Sequence, residues 1–313
     1  MRASEVPQGT ITTRFANVTV AIATRDRSAA LDRCLDAVLS GTALPTEIIV
    51  VDQSKNAQTR EIVDKRHPSP VPIIYIRHQR RGLSAAQNVA FARATCPIVA
   101  ITDDDCIPDI EWVATVERAF DAPPSPDGVT GRVLPFPGVG DRAYPVSSRT
   151  SVVRVDFQGK VVPWDVGSGN NFAVRREWLC RIGGCDERLG PGSPGKGGGD
   201  MDLFYRLLRA GARIRYEPSI LVHHEMQSKD GRLARRSMYG HGMGVCCVLY
   251  LRQGDLYGLF LLRRWLSFRS WIMAGSLRRR RWLSAYEEAL VLWGTLRGLA
   301  HGLGVRVSAR ART

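Results

Sequence analysis

Apolar residues gather in short blocks along the first third of the chain, and the spacing between them alternates between two periods. Val18–Ala23 (VTVAIA), Glu47–Val51 (EIIVV), Pro72–Ile76 (PIIYI) and Ile98–Thr102 (IVAIT) are runs of strand length, rich in β-branched residues. Between them, Ser28–Leu39, Thr59–Arg66 and Ser84–Ala94 carry apolar residues at helical spacing, with Ser28 expected to cap the first helix and Gly41 to stop it. Strands that alternate with helices in this way predict an α/β fold, a mostly parallel sheet flanked by helices.

After Phe120 the pattern loosens. Residues 121–145 are rich in Pro and Gly and read as a loop holding a short strand at Gly128–Val133. A strand pair is expected around Val152–Val162, and a short helix at Arg176–Arg181 closed by Gly183-Gly184. Residues 190–199 (GPGSPGKGGG) are expected to form a mobile loop. A helix over Asp200–Ala210, stopped by Gly211, and short strands at Arg213–Tyr216 and Ile220–Val222 complete this part.

From Gly231 onward Leu, Trp and Phe are mixed with clusters of Arg, as in LYGLFLLRRWLSFRSWIMAGSLRRRRW over 256–282, which predicts basic amphipathic helices. Charge follows the same division. Of the formal net charge of +14, residues 231–313 supply +12, from 15 Arg against three acids, and the rest of the chain supplies +2. The expected organisation is an N-terminal tail (1–16), an α/β domain (17–230) and a basic amphipathic helical region (231–313). Such helices either lie in a membrane interface or pack on the domain before them with a solvated basic face. Their arginines sit among bulky aliphatics, not beside stacking aromatics in a recognisable motif, so nucleic acid is the weaker partner.

The seven cysteines form no CxxC pair and are odd in number, which argues against a disulfide framework or a zinc site and for a reducing compartment. The first ten residues lack the apolar core of a signal peptide, and no uncharged apolar stretch reaches about 18 residues, so no transmembrane helix is expected. The expected location is cytoplasmic, peripheral on the inner face of the cell membrane.

Candidate chemistry begins at Asp103, Asp104 and Asp105, directly after the Ile98–Thr102 strand. Three carboxylates in a poorly solvated cleft repel one another, and a divalent cation with oxygen ligands would neutralise them. The competing interpretation is a solvated turn in which Asp105 or Asp109 caps the helix after Pro108. Asp52 ends the second strand, and in a parallel sheet it would share a crevice with the three aspartates. Asp200 follows the glycine loop and opens a helix; it is either an N-cap or a general base, while Asp202 would point elsewhere. His223 and His224 follow a strand, either as one packed and one surface residue or as a metal ligand completing a site begun by Asp105.

Together these segments resemble family 2 glycosyltransferases, over about residues 17–225 and in the family's order. VTVAIATRDR is similar to the family's nucleotide-binding start, EIIVVDQS to its second strand, and GLSAAQNVAFARA to the segment before its acidic motif. AITDDDCIP resembles its DXD motif, GSGNNFAVRREWLCRIGGCDERLG its acceptor-side segment, GGGDMDLFYRLLRAG its catalytic helix and ILVHH its metal-binding histidine segment. The resemblance implies a GT-A fold, Rossmann-like, and a metal-dependent inverting glycosyltransferase using a nucleotide-diphospho sugar. It implies donor-binding roles for Thr24, Arg25, Asp52, Asp103 and Asp104, an acceptor side at Asn170 and Asn171, and Asp200 as base. It further implies Mn²⁺ or Mg²⁺ on Asp105 with His224 or His223. A glycan or lipid-linked acceptor fits the basic tail. A nucleotidyltransferase, or a non-catalytic basic membrane- or nucleic-acid-binding protein, is the alternative; the first lacks a Gly-rich phosphate loop near the N-terminus.

Overall fold

The computed structural model describes residues 14–136 and 144–305. Residues 1–13 of the expected tail and 137–143 of the expected loop lie outside the described residues, while Arg14–Ala16 of that tail already belong to the first strand.

The early alternation is observed as β1 (Arg14–Thr24), α1 (Ser28–Leu39), β2 (Ala43–Asp52), α2 (Gln58–Lys65), β3 (Ile73–Arg77), α3 (Leu83–Arg93) and β4 (Ile98–Asp103). Four strands lie parallel in the order β3-β2-β1-β4. Their apolar runs are continuous because both faces are covered. Val18, Val20, Ile22, Ile48 and Val50 face α1 and a later helix, whereas Ala21, Ile49, Val51, Val99 and Ile101 pack on the other side with Ala86, Ala90 and Phe91 of α3.

The second half is mixed in direction. β5 (Cys106–Pro108), α4 (Trp112–Asp121), β6 (Gly128–Phe136), β7 (Val155–Phe157), α5 (Pro163–Val166), β8 (Asn171–Arg175), α6 (Arg176–Ile182), α7 (Gly199–Arg209) and β9 (Ile214–Glu225) extend the sheet as β4-β8-β6-β9-β5, with β7 beside β9. The parallel order therefore stops at β4. β8 runs antiparallel to β4 and β6, and β5 and β7 run antiparallel to β9.

Several expectations are corrected here. The pair at Val152–Val162 is a single strand, β7, held to β9 by the Asp156–Arg215 ion pair. The two strands expected at Arg213–Tyr216 and Ile220–Val222 are one, β9, whose register against β6 slips between Gly131 and Arg132 to pass Pro218 and Ser219. Ser28 is the first helical residue rather than the cap of α1; Arg27 occupies the cap position and its side chain goes elsewhere. Residues 190–199 lack regular structure up to Gly198 but are tied together, Gly190 N–H donating to Gly197 O (3.0 Å) and Gly195 N–H to Arg188 O (2.8 Å). Gly197 and Gly198 are buried against Met238, Gly242 and Cys246 of a later helix, so a closed turn stack stands where a mobile loop was expected.

Three long helices follow, α8 (Lys229–Arg252), α9 (Tyr257–Arg278) and α10 (Trp282–Gly304). α8 and α10 touch backbone to backbone: a Cβ at Gly240 would stand 1.9 Å from Val291 O, and one at Gly298 2.1 Å from His241 O. α8 also joins α7 through a third core of Tyr205, Met243, Leu249, Tyr250, Leu261, Trp265 and Val291. The inner faces therefore pack on the α/β unit. The outer faces of α9 and α10 keep large apolar side chains exposed, including Phe260, Trp271 (74%), Trp282 (67%) and Trp293 (58%), next to the exposed Arg263, Arg264 and Arg278. No helix among the described residues is long and apolar enough to cross a membrane.

Candidate active site

The register of the parallel strands brings three sequence-predicted residues to one edge. Thr24 lies opposite Asp52, and Ala23 opposite Asp103, so β1, β2 and β4 end together. That edge is where open α/β sheets hold ligands. Asp103 keeps partial exposure at the end of β4, while Asp104 and Asp105 are buried in the turn that follows. Thr24 Oγ1 donates to Asp104 Oδ2 (2.8 Å). Arg27 Nη1 donates to both Asp104 Oδ1 (3.1 Å) and Asp105 Oδ2 (2.7 Å). Burial above all raises the Asp103 and Asp104 carboxyls out of the usual range; Asp105 adds to both shifts, and the Arg27 guanidinium opposes them. Asp109 does not cap α4; it accepts from Glu111 N–H in the turn before it.

One carboxylate oxygen of this cluster is left over. Asp105 Oδ1 is buried and has no hydrogen-bond partner, and His224 Nε2 faces it at 3.5 Å. The other ring nitrogen of His224 lies 3.0 Å from Glu225 O, a geometry that makes Nδ1 the donor and leaves a lone pair on Nε2. Burial lowers the His224 pKa and so favours the neutral ring. Two lone pairs then face each other in a buried space, an arrangement that a bound cation resolves. A hard divalent ion such as Mn²⁺ or Mg²⁺ fits this oxygen–nitrogen pair. The antiparallel register sets Cys106 opposite His224, which brings its thiol into the same group. Burial pushes that thiol well above its ordinary pKa, so it stays protonated and is a poor ligand. Strand alternation separates the two histidines: His223 stands edge-on to Phe136, with ring centres 6.2 Å apart, and is outside the metal group.

The base side is built from α7 and the segment before β8. Asp200 lies in the first turn of α7, and the cap position is Gly198, so Asp200 is not the N-cap. Its Oδ2 accepts from Gly169 N–H (3.2 Å), and its Oδ1 from Met201 N–H (2.9 Å). A side chain at residue 169 would collide with this carboxylate, since a Cβ there would sit 2.8 Å from Asp200 Cβ. The half-buried Arg149 guanidinium contributes a positive charge near Asp200, while donating to Gly167 O (3.0 Å). Asn170 is buried with its Oδ1 unpartnered, next to the Gly169 contact. Asp202 points away, binding Arg206 (2.7 Å) and the Tyr250 hydroxyl (3.0 Å).

Two of the expected ligand residues, Asn171 and Asp52, have partners within the fold. Asn171 is fully buried; its Oδ1 accepts from Trp112 Nε1 (2.9 Å), and its Nδ2 donates to Arg132 O (2.7 Å) and Ile220 O (3.1 Å), which brackets β6, β8 and β9. Asp52 has no exposed surface, and it accepts from Ser54 N–H (2.8 Å), Tyr75 Oη (2.8 Å) and Arg77 Nη1 (3.1 Å). It orders the strand edge through the buried Ser54, the half-buried Tyr75 and the exposed Arg77. Arg25 is exposed and reaches toward Gly192 of the glycine turn, near where a side chain there would stand (3.7 Å). Sequence reasoning passed over Arg27 and Cys106. The available signal for Arg27 was a cation placed immediately after the first strand-end turn.

The family described as Glycosyl transferase family 2 matches residues 19–183. A curated relative, the pre-mycofactocin glycosyltransferase of Mycobacterium tuberculosis, is 27% identical over 248 residues, covering 76% of this chain. The chain spans about half the length of that relative (48%). The glucosyl-dolichyl phosphate glucuronosyltransferase of Haloferax volcanii is 21% identical over 261 residues, covering 76% of this chain and 79% of the relative. Among solved structures, the mannosyltransferase PcManGT of Pyrobaculum calidifontis, in complex with GDP-Man and Mn²⁺, superposes with a TM-score of 0.60 at 19% identity, over 92% of this chain and 88% of the other. S. aureus TarS in complex with UDP-GlcNAc gives 0.55 at 17% identity, over 67% and 59%. At these identities the structural likeness shows the fold.

Proposed function

This chain belongs to glycosyl transferase family 2 and has the GT-A fold, and we propose that it is a metal-dependent, inverting glycosyltransferase that moves a sugar from a nucleotide-diphospho sugar to an acceptor hydroxyl. The observation that carries the metal-dependent part is the unpartnered Asp105 Oδ1 facing His224 Nε2 at the end of the parallel strands. Asp105 and His224 would hold Mn²⁺ or Mg²⁺, and the ion, when bound, stabilises negative charge on the diphosphate. Asp103 at the end of β4 would lie toward the donor, with Thr24 and Arg27 holding Asp104 and Asp105 in place.

Asp200, steadied by the Gly169 N–H, takes the proton of the acceptor hydroxyl. The acceptor oxygen forms the new bond to the anomeric carbon as the bond to the β-phosphate oxygen breaks. The electron pair leaves on the nucleoside diphosphate. A single displacement without a covalent enzyme intermediate inverts the anomeric centre.

The acceptor proposed is a lipid-linked or cell-envelope glycan, reached from a membrane surface on which the α9–α10 face lies peripherally. Exposed Trp and Leu beside exposed Arg favour that surface, and the Haloferax relative carries a dolichyl phosphate substrate in its name. The test is a thermal-stability screen of sugar nucleotides with Mn²⁺, in which a specific donor raises the melting temperature by mass action. Asp105→Asn is expected to lose that shift. No shift with any donor would remove the proposal.

A further inference from the structure

Asp200 rides on the first turn of α7, so its position is set by whatever holds the start of that helix. No side chain caps it. The cap position is Gly198, in the left-handed region at φ 78°, and its carbonyl accepts from Asp202 N–H (2.9 Å). Two other helices hold this glycine start. α3 does so through Ser84, whose Oγ donates to Leu189 O (2.8 Å) and stands 3.0 Å from where a Cβ on Gly199 would be. α8 does so with three residues spaced one turn apart. Met238 brings its carbonyl oxygen to 2.7 Å from the place of a Cβ on Gly197. A Cβ on Gly242 would fall 2.2 Å from Gly197 C and 2.6 Å from Gly198 N. Cys246 Sγ donates to Gly198 O (3.6 Å).

The Gly197–Gly198 peptide thus links α8 to the carboxylate two residues further on. Backbone lies directly on backbone, so no side-chain rotamer can yield between them. This contact is separate from the one between α8 and α10. Gly240 and Gly244 meet α10, where a Cβ on each would stand 1.9 Å from Val291 O and 2.3 Å from Thr295 O. Gly242 lies roughly 200° around the helix from Gly240 and faces the turn before α7. The family match over residues 19–183 covers neither side of this contact. We propose that Gly242 is a positioning residue for Asp200: its missing side chain lets the Gly197–Gly198 peptide seat on α8, and that seat sets where the carboxylate meets the acceptor hydroxyl. α8 is then part of the catalytic unit as well as the support of α10. The inference rests on the base assignment given above.

The test separates turnover from donor binding in the full chain, with Mn²⁺, a membrane extract supplying acceptor, and the sugar nucleotide that most raises the melting temperature in the stability screen. Gly242→Ala is expected to lower kcat by about 10- to 100-fold, the cost of misplacing a catalytic group by up to about 1 Å, while donor affinity changes less than about threefold. Gly244→Ala is the matched control, because its methyl group meets the α10 backbone as closely. It should lower the melting temperature comparably, yet leave kcat of the folded protein within about threefold. Cys246→Ala adds no bulk and removes only the thiol on Gly198 O; it should lower kcat by about three- to tenfold at unchanged donor affinity. Equal losses of kcat in Gly242→Ala and Gly244→Ala, or full turnover in Gly242→Ala, would overturn the inference. If Gly242→Ala does not fold, full turnover in Cys246→Ala overturns it. Full turnover in Asp200→Asn, measured alongside, would instead overturn the base assignment.

Discussion

Asp105 and His224 are the pair on which the metal assignment turns, and their neighbour His223 provides an internal control. His224→Ala should weaken Mn²⁺ binding about 100-fold, measured by the free-ion electron paramagnetic resonance signal, and His223→Ala should leave it unchanged. Equal effects of the two substitutions would show that strand alternation does not choose the ligand. Gly169 tests the base. A methyl group there collides with Asp200, so Gly169→Ala should lower turnover by about 100-fold while donor binding persists. At this scale the sequence was legible where a residue's type implied its chemistry. Asp52 and Asp103 stand at adjacent strand ends, and Asp200 binds Gly169 just before β8, the neighbour of β4. It was not legible for Asn171 and Asp52, whose polar side chains are consumed by the fold, because a buried hydrogen-bonding bracket and a ligand contact use the same residue types.

Elements divide in the same way. The four parallel strands and their helices were readable, since strands covered on both faces carry uninterrupted apolar runs. β5 and β8 were not read, being short and opening next to polar residues, and β9 was split in two by Pro218 and Ser219. Those omissions matter, because β5 against β9 is the pairing that sets His224 beside Asp105. The α8–α10 contact was also hidden, as glycines in a helix ordinarily lower its propensity and only a close neighbouring backbone explains them. Its ionic counterpart gives a prediction. Glu287 is 2% exposed and binds Arg232 and Arg236, so Glu287→Ala should destabilise the chain by about 3 kcal/mol in denaturant unfolding. A loss below about 0.5 kcal/mol would mean that the cluster holds nothing together.

At the scale of the whole molecule, α7 packs on the sheet with one face and on α8 with another, and the α9–α10 face looks outward from the same helical unit. The uneven charge of the chain marked that unit in the sequence. It could not reveal that the inner faces pack on α7 while the outer faces keep Trp and Arg exposed. On the proposed membrane contact, the unaltered chain should bind vesicles containing anionic lipid, and that binding should be lost in a Trp271→Glu/Trp293→Glu protein and weaken as salt rises. Binding that survives both changes would place the membrane contact elsewhere.

The proposed chemistry is metal-dependent sugar transfer with Asp200 as the base. Its most direct measurement is nucleoside diphosphate release from the donor that stabilises the protein, in the presence of a membrane extract supplying acceptor, for the unaltered chain and for Asp200→Asn. The unaltered chain should release diphosphate only with divalent metal, and Asp200→Asn should bind the donor equally well while turning over at least about 100-fold more slowly. Full turnover by Asp200→Asn, or release that survives thorough chelation, would contradict the account.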